Sequence, residues 1–334
     1  MPKNLAIDIH AHAIVEEVEA LARQHPSFAE EAKKAGAIVG AASLQHNRKL
    51  MNDGWLYRLT SLDARIAAMD AMRIDVQAVS VAPTQYYYWA DRELAAKIVA
   101  VANQRIAELC AHRPDRLVGL GTVSLQHPDL AIAQLQHAIR ELGLRGVIVS
   151  TAVNEAELAD PRHLAFWKKV EELGALVFIH PIGCALGERL VPYYFSNVIG
   201  NPLETALALA HLVFSGTLDL CPSLKVCAAH GGGYFPAYTP RFDHGWRVRP
   251  EARTCANPPS AYLKRICFDS LVYTPEQLAF LIQQAGASQV VLGTDYPFDM
   301  GIDDPLDRLD AVASLAESDR DAIRGLNAAR VLAL

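Results

Sequence analysis

Asp8-Ile9-His10-Ala11-His12 follows an apolar run, Leu5-Ala6-Ile7, that reads as a short strand. Side chains two residues apart on a strand leave the same face. His10 and His12 can therefore aim two imidazole nitrogens at one point at the strand's carboxyl end. Imidazole is the commonest protein ligand for transition metals, and two at fixed geometry make half a zinc site. Further along, three polar residues each close an apolar run of their own. His180 follows Leu176-Val177-Phe178-Ile179, His230 follows Val226-Cys227-Ala228-Ala229, and Asp295 follows Val290-Val291-Leu292-Gly293-Thr294. If the strands that carry them gather on one rim, His10, His12, His180 and Asp295 converge on a single cation. Three neutral imidazoles and a carboxylate suit zinc, with a water completing an open catalytic site. Manganese is the second choice, because a carboxylate and water soften the preference. The other histidines fit plainer roles. His25, His46, His112, His127, His137 and His163 fall on helices, insertions or loop starts and are read as solvated or capping, and His211 as a packed helix residue.

The elements that must position these groups alternate along the chain. Strand-like runs lie at 5–9, 76–81, 117–122, 146–150, 175–179, 225–229, 266–269 and 289–293. Helical patterns separate them, as at 63–72, 93–111, 129–142, 163–173, 202–215 and 275–285. Strands that are continuously apolar, with helical crossovers, indicate a parallel sheet covered on both faces. Eight such units make an α/β fold of the (β/α)8 TIM-type barrel class, a single domain over residues 1–334. A doubly wound open sheet is the alternative, but no glycine-rich nucleotide fingerprint follows the first strand. Three segments are too long for simple connections: about 13–59, 181–201 and 231–263. All follow strand carboxyl ends, where barrels build active sites. The first carries helical pattern of its own at 16–24 and 29–35, so it is a folded insertion.

Composition narrows the function. The 334 residues are 51% hydrophobic and 20% charged, with a net charge of -6, which is ordinary for a globular protein and leaves no basic footprint for nucleic acid. No apolar run approaches a membrane span, and the N-terminus lacks a signal-peptide pattern. Six cysteines without C-x-x-C spacing are consistent with reduced packing residues. A cytoplasmic enzyme acting on a small molecule is the expectation.

The order of these residues resembles the amidohydrolase superfamily: H-x-H on the first strand, histidines after the fifth and sixth, aspartate after the eighth. The finer likeness is to its decarboxylase-like branch, typified by 2-amino-3-carboxymuconate 6-semialdehyde decarboxylase. It is carried by Arg65-Ile66-Ala67-Ala68-Met69-Asp70, Asn201-Pro202-Leu203-Glu204-Thr205, Ala229-His230-Gly231-Gly232-Gly233 and Gly293-Thr294-Asp295-Tyr296-Pro297-Phe298. The resemblance implies a divalent metal at His10, His12, His180 and Asp295 and no organic cofactor. One ion is expected, because the fourth strand ends Val149-Ser150-Thr151, without the lysine a binuclear site needs. It further implies His230 as acid/base on a metal-bound water, with Asp295 sharing the catalytic centre. Arg48, Arg241 and Phe298 fall at its substrate-binding positions, and Arg241 acts across a homodimer interface. The implied reaction is non-oxidative decarboxylation of a carboxylated unsaturated or aromatic acid. Hydrolysis of a lactone, amide or ester, or hydration of a double bond, would use the same centre. A catalytically idle, metal-stabilised binding protein is the rival of a different kind. One departure bears on the substrate: His180-Pro181-Ile182-Gly183 stands where the branch has H-P-W-D, and Gln85-Tyr86-Tyr87-Tyr88-Trp89 supplies rim aromatics instead.

Overall fold

The computed structural model describes residues 5–184 and 186–334. Its parallel strands begin with β1 (Ile7–Ala13), β2 (Val76–Val81), β3 (Leu117–Thr122) and β4 (Gly146–Val149). A small antiparallel hairpin follows, β5 (Ala152–Val153) and β6 (Ala156–Glu157). The sheet then resumes with β7 (Leu176–Ile179), β8 (Lys225–Ala228), β9 (Ile266–Asp269) and β10 (Val290–Val291). The eight barrel strands pair in chain order. Backbone hydrogen bonds from Ile9 N to Leu292 O (2.9 Å), Asp295 N to His10 O (2.8 Å) and His12 N to Tyr296 O (2.8 Å) join the end to the beginning. The result is the (β/α)8 barrel expected from the alternation of patterns.

The first strand departs from its expected bounds. It continues to Ala13, every residue buried, so the H-x-H pair lies within the strand rather than beyond it. Its pairing with β2 shifts register between Asp8 and Ala11. The insertion after it folds as α1 (Glu16–Arg23), α2 (Phe28–Val39), α3 (Ala41–Leu50) and α4 (Leu56–Thr60). α3 escaped the periodicity because its only large apolar residues, Leu44 and Leu50, are six apart and draw no stripe.

The crossover helices are α5 (Leu62–Ala71), α6 (Arg92–His112), α7 (Pro128–Arg140), α8 (Leu164–Leu173), α9 (Asn201–Phe214) with the short α10 (Thr217–Leu220), α11 (Phe235–Val248) and α12 (Pro275–Ala285). Side-chain caps start several of them: Ser61 accepts from Ala64 N, Asp91 from Leu94 N and Thr274 from Gln277 N. The second long segment, 181–201, forms only single helical turns. No helix among the described residues is long and apolar enough to cross a membrane.

Two histidines differ from expectation. His211 is exposed on α9, 3.4 Å from Glu157, rather than packed. His163, expected to be solvated or capping, is buried at the N-cap position of α8, where its side chain makes no cap bond and its Nδ1 donates to Glu157 O at 3.1 Å.

Candidate metal centre

Barrel closure brings the four strand ends together. Ring centroids lie 5.1 Å apart for His10 and His12, and 4.9 Å for His10–His180 and for His12–His180. Each imidazole spends Nδ1 on a fixed acceptor. His10 donates to Asp269 Oδ2 (2.7 Å), His12 to Val81 O (3.3 Å) and His180 to Pro181 O (2.8 Å). With Nδ1 so occupied, Nε2 is left as the nitrogen of each ring that can face a cation. These Nε2 atoms face the same point. His10 Nε2 and His12 Nε2 are 3.1 Å apart. Asp295 Oδ1 is 3.2 Å from the first and 3.1 Å from the second, yet has no well-directed hydrogen bond. His180 Nε2 is buried without any partner. Buried polar atoms without partners are rare, and a divalent cation satisfies all of these at once. The donor set fits.

His230 completes the group: His10, His180, His230 and Asp295 offer ligand atoms all within 4.8 Å of one another. Its Nε2 lies 3.7 Å from Asp295 Oδ2, and its side chain is 15% exposed, whereas His10 and His12 are fully buried. The glycines after it explain the local turn. His230 has φ +55°, and Gly233 at φ +60° presses on α9, where a Cβ would come 2.0 Å from Pro202 O. Only glycine fits there, and two of the family-like motifs thereby touch.

Charge within the cluster is strongly coupled. Burial works against ionisation of Asp295, but His10, His12 and His230 outweigh it and hold the carboxyl well below its usual range. Burial lowers His12, and lowers His180 far more. Burial also opposes charge on His10, yet Asp295 and Asp269 carry it up to about 10. The metal-free cluster thus holds a proton on the nitrogen a cation needs. Ion binding at neutral pH should release that proton, so affinity should rise about tenfold per pH unit from 7 toward 9. Calorimetry in buffers of different ionisation enthalpy measures the proton released.

Asp269 was not singled out from the sequence, although it too closes a strand. Its Oδ2 accepts from His10, and its Oδ1 accepts from Gly231 N (2.8 Å) and Leu271 N (3.2 Å). One carboxylate therefore orients a ligand and anchors the turn carrying His230. Asp269→Asn should weaken metal binding or activity about 10- to 100-fold, read by competition with a chromophoric chelator.

The remaining expected residues are less central. Phe298 is half-buried, 5.4 Å from the His12 ring and 5.5 Å from Trp55. Arg48 on α3 and Arg241 on α11 are exposed, and neither side chain makes a hydrogen bond or ion pair among the described residues. Within one chain they are not brought to the cluster. Of the expected rim aromatics, Tyr86 is buried with its hydroxyl unpartnered, and its ring stacks on buried Tyr88 at 5.7 Å.

Comparison with known proteins agrees with this geometry. The amidohydrolase family model matches residues 7–334. The 2-amino-3-carboxymuconate-6-semialdehyde decarboxylase of Dictyostelium discoideum is 34% identical, covering 99% of this chain and 92% of the relative. The gamma-resorcylate decarboxylase of Rhodococcus jostii is 30% identical, over 81% of this chain and 87% of the relative. The 5-carboxyvanillate decarboxylase of Novosphingobium aromaticivorans, solved with manganese, superposes with a TM-score of 0.84 at 23% identity, covering 99% and 96% of the two chains. With its barrel, its strand-end histidines and aspartate and nearly its whole length matched, the chain belongs to the amidohydrolase family.

Proposed function

We propose that this chain removes carbon dioxide, without an oxidant, from a carboxylated unsaturated or aromatic acid, using one divalent cation and His230. The observation that carries the reading is the convergence of three imidazole Nε2 atoms and Asp295 beside a partly open imidazole. The decarboxylase names of the relatives supply the reaction class.

Loss of carbon dioxide breaks one carbon–carbon bond and leaves its electron pair on the substrate. One proton must then reach the vacated carbon, so R–COO⁻ and H⁺ give R–H and CO2. A cation held by His10, His12, His180 and Asp295 would supply Lewis acidity toward substrate oxygens conjugated with that carbon. Zinc matches three imidazoles and a carboxylate, and manganese is the alternative the same donors accept. His230 is the most accessible member of the cluster, and we assign it the proton moved at Nε2. Phe298 and Trp55 would wall the substrate, and the stacked tyrosines suit a ring.

A carboxylate substrate needs a cationic clamp, for which arginine's planar fork is well shaped. Arg241 shares a helical face with Tyr234 and Tyr238, 39% and 55% exposed, at spacings of three and seven residues. Exposed aromatics beside an unpaired arginine favour contact with a second copy across a two-fold axis, with Arg241 reaching the neighbour's substrate. Mixing inactive His230→Ala and Arg241→Ala proteins should then restore activity, because some hybrid dimers hold one intact site. No recovery after verified subunit exchange contradicts sharing. Arg48 is the second clamp in this reading, and Arg48→Ala should raise KM more than it lowers kcat.

The reaction class is tested with 2,6-dihydroxybenzoate, 5-carboxyvanillate and 2-amino-3-carboxymuconate 6-semialdehyde, scored for released carbon dioxide. Turnover of lactones or amides, with none of these decarboxylated, would move the chain to hydrolysis.

A further inference from the structure

The segment beginning at Arg65 belongs to the family-like motifs but has no part in the site so far. Arg65, on α5, is 1% exposed, a rare condition for a guanidinium. Its Nη2 donates to His12 O (2.5 Å), its Nη1 donates to Gln77 Oε1 (2.7 Å), and its Cζ lies 5.1 Å from the centre of the Tyr296 ring. Gln77, on β2, passes the order onward by donating Nε2 to Asp8 Oδ2 at 2.8 Å. Asp8 receives three more donors: Thr294 Oγ1 at 2.6 Å on Oδ2, and His10 N and Thr294 N, both at 3.0 Å, on Oδ1. All these residues are buried.

The order of donors leaves no freedom. Arginine only donates, so Gln77 must offer it Oε1 and turn Nε2 toward Asp8. Asp8 then faces three obligate donors, Gln77 Nε2, His10 N and Thr294 N, with the Thr294 hydroxyl turning its proton to it as well, an arrangement a carboxylate satisfies. The chain ends on the backbones of His10, His12 and Thr294, that is, on two ligand residues and the neighbour of a third. It touches no ligand side chain. We infer that Arg65, Gln77 and Asp8 are positioning residues that set divalent-ion affinity by fixing β1 against the Thr294–Asp295 turn. This inference rests on the metal-centre reading above.

Polarity exchange separates positioning from mere stability. Asp8→Asn sets an amide NH2 against that of Gln77 and should weaken ion binding about 10- to 100-fold, measured with Co2+ and Zn2+ by chelator competition. The visible spectrum of the Co2+-loaded protein should change with it. The double variant Asp8→Asn/Gln77→Glu restores the order and the net charge: the carboxylate introduced on β2 accepts from Arg65 and from the new amide. Thr294 Oγ1 can turn its proton to His10 O, 3.4 Å away. The double variant should recover most of the lost affinity and the wild-type Co2+ spectrum, whereas Gln77→Glu alone, which opposes two carboxylates, should not. Thr294→Val, removing one donor from Asp8, provides a milder variant should Asp8→Asn fail to fold, and it should weaken binding by less. Unchanged affinity and spectrum in Asp8→Asn or Thr294→Val, even with a lowered Tm, would overturn the inference, as would a double variant no better than Asp8→Asn. Wild-type protein that binds neither ion would instead overturn the metal-centre reading, and the inference with it.

Discussion

The His10→Ala protein is expected to purify with little or no divalent ion and to lose its activity with it. His10 is the hinge of the cluster. Its Nε2 faces His12 and Asp295, and its Nδ1 is held by Asp269. Removal therefore deletes a ligand and also leaves two buried carboxylates short of a partner, a change that commonly costs several kcal/mol. A lower Tm and metal content near zero by plasma mass spectrometry should accompany the loss of turnover. Asp295→Ala should behave alike. The exposed His211→Ala should match wild type in both respects. Metal content near two per chain in the wild type would contradict a single-ion centre.

The His230→Ala protein should part company with these variants. If His230 handles the substrate proton, its removal leaves four ligands in place. Metal content should then stay close to wild type, while turnover falls about a hundred- to ten-thousandfold, the usual cost of a lost general acid or base. His230→Ala losing its ion as fully as His10→Ala would make His230 a ligand. Its place within 4.8 Å of His10, His180 and Asp295 makes this comparison decisive for the division of labour.

The sequence carried the residues of the candidate centre more clearly than their supports. His180, His230 and Asp295 were legible because each follows a continuous apolar run, and His10 and His12 because they share a face two residues apart on the first strand; strand order alone puts such groups on one rim. Asp269 ends a strand too, but a lone aspartate there gives no sign that it faces an imidazole 259 positions earlier in the chain. Asp8, Gln77 and Arg65 were harder still. Their meaning lies in which donor meets which acceptor across β1, β2 and α5, and periodicity records only burial. Charged side chains are mostly outside, so nothing in the sequence marks Arg65 as buried. α3 was missed because Leu44 and Leu50, its only large apolar residues, are six apart and generate no helical pattern. Arg48 and Arg241 came from family likeness alone, and a single chain leaves both in solvent.

The proposed reaction is metal-dependent loss of carbon dioxide with protonation of the vacated carbon. It is tested most directly by turning over a carboxylated substrate in D2O, with protein stripped by a chelator and with the same protein reloaded with one equivalent of Zn2+ or Mn2+. Carbon dioxide and a product carrying a single deuteron at the vacated carbon are expected, formed only by the reloaded protein. A product that keeps its carboxyl group, or decarboxylation that proceeds equally well in stripped protein, would contradict it.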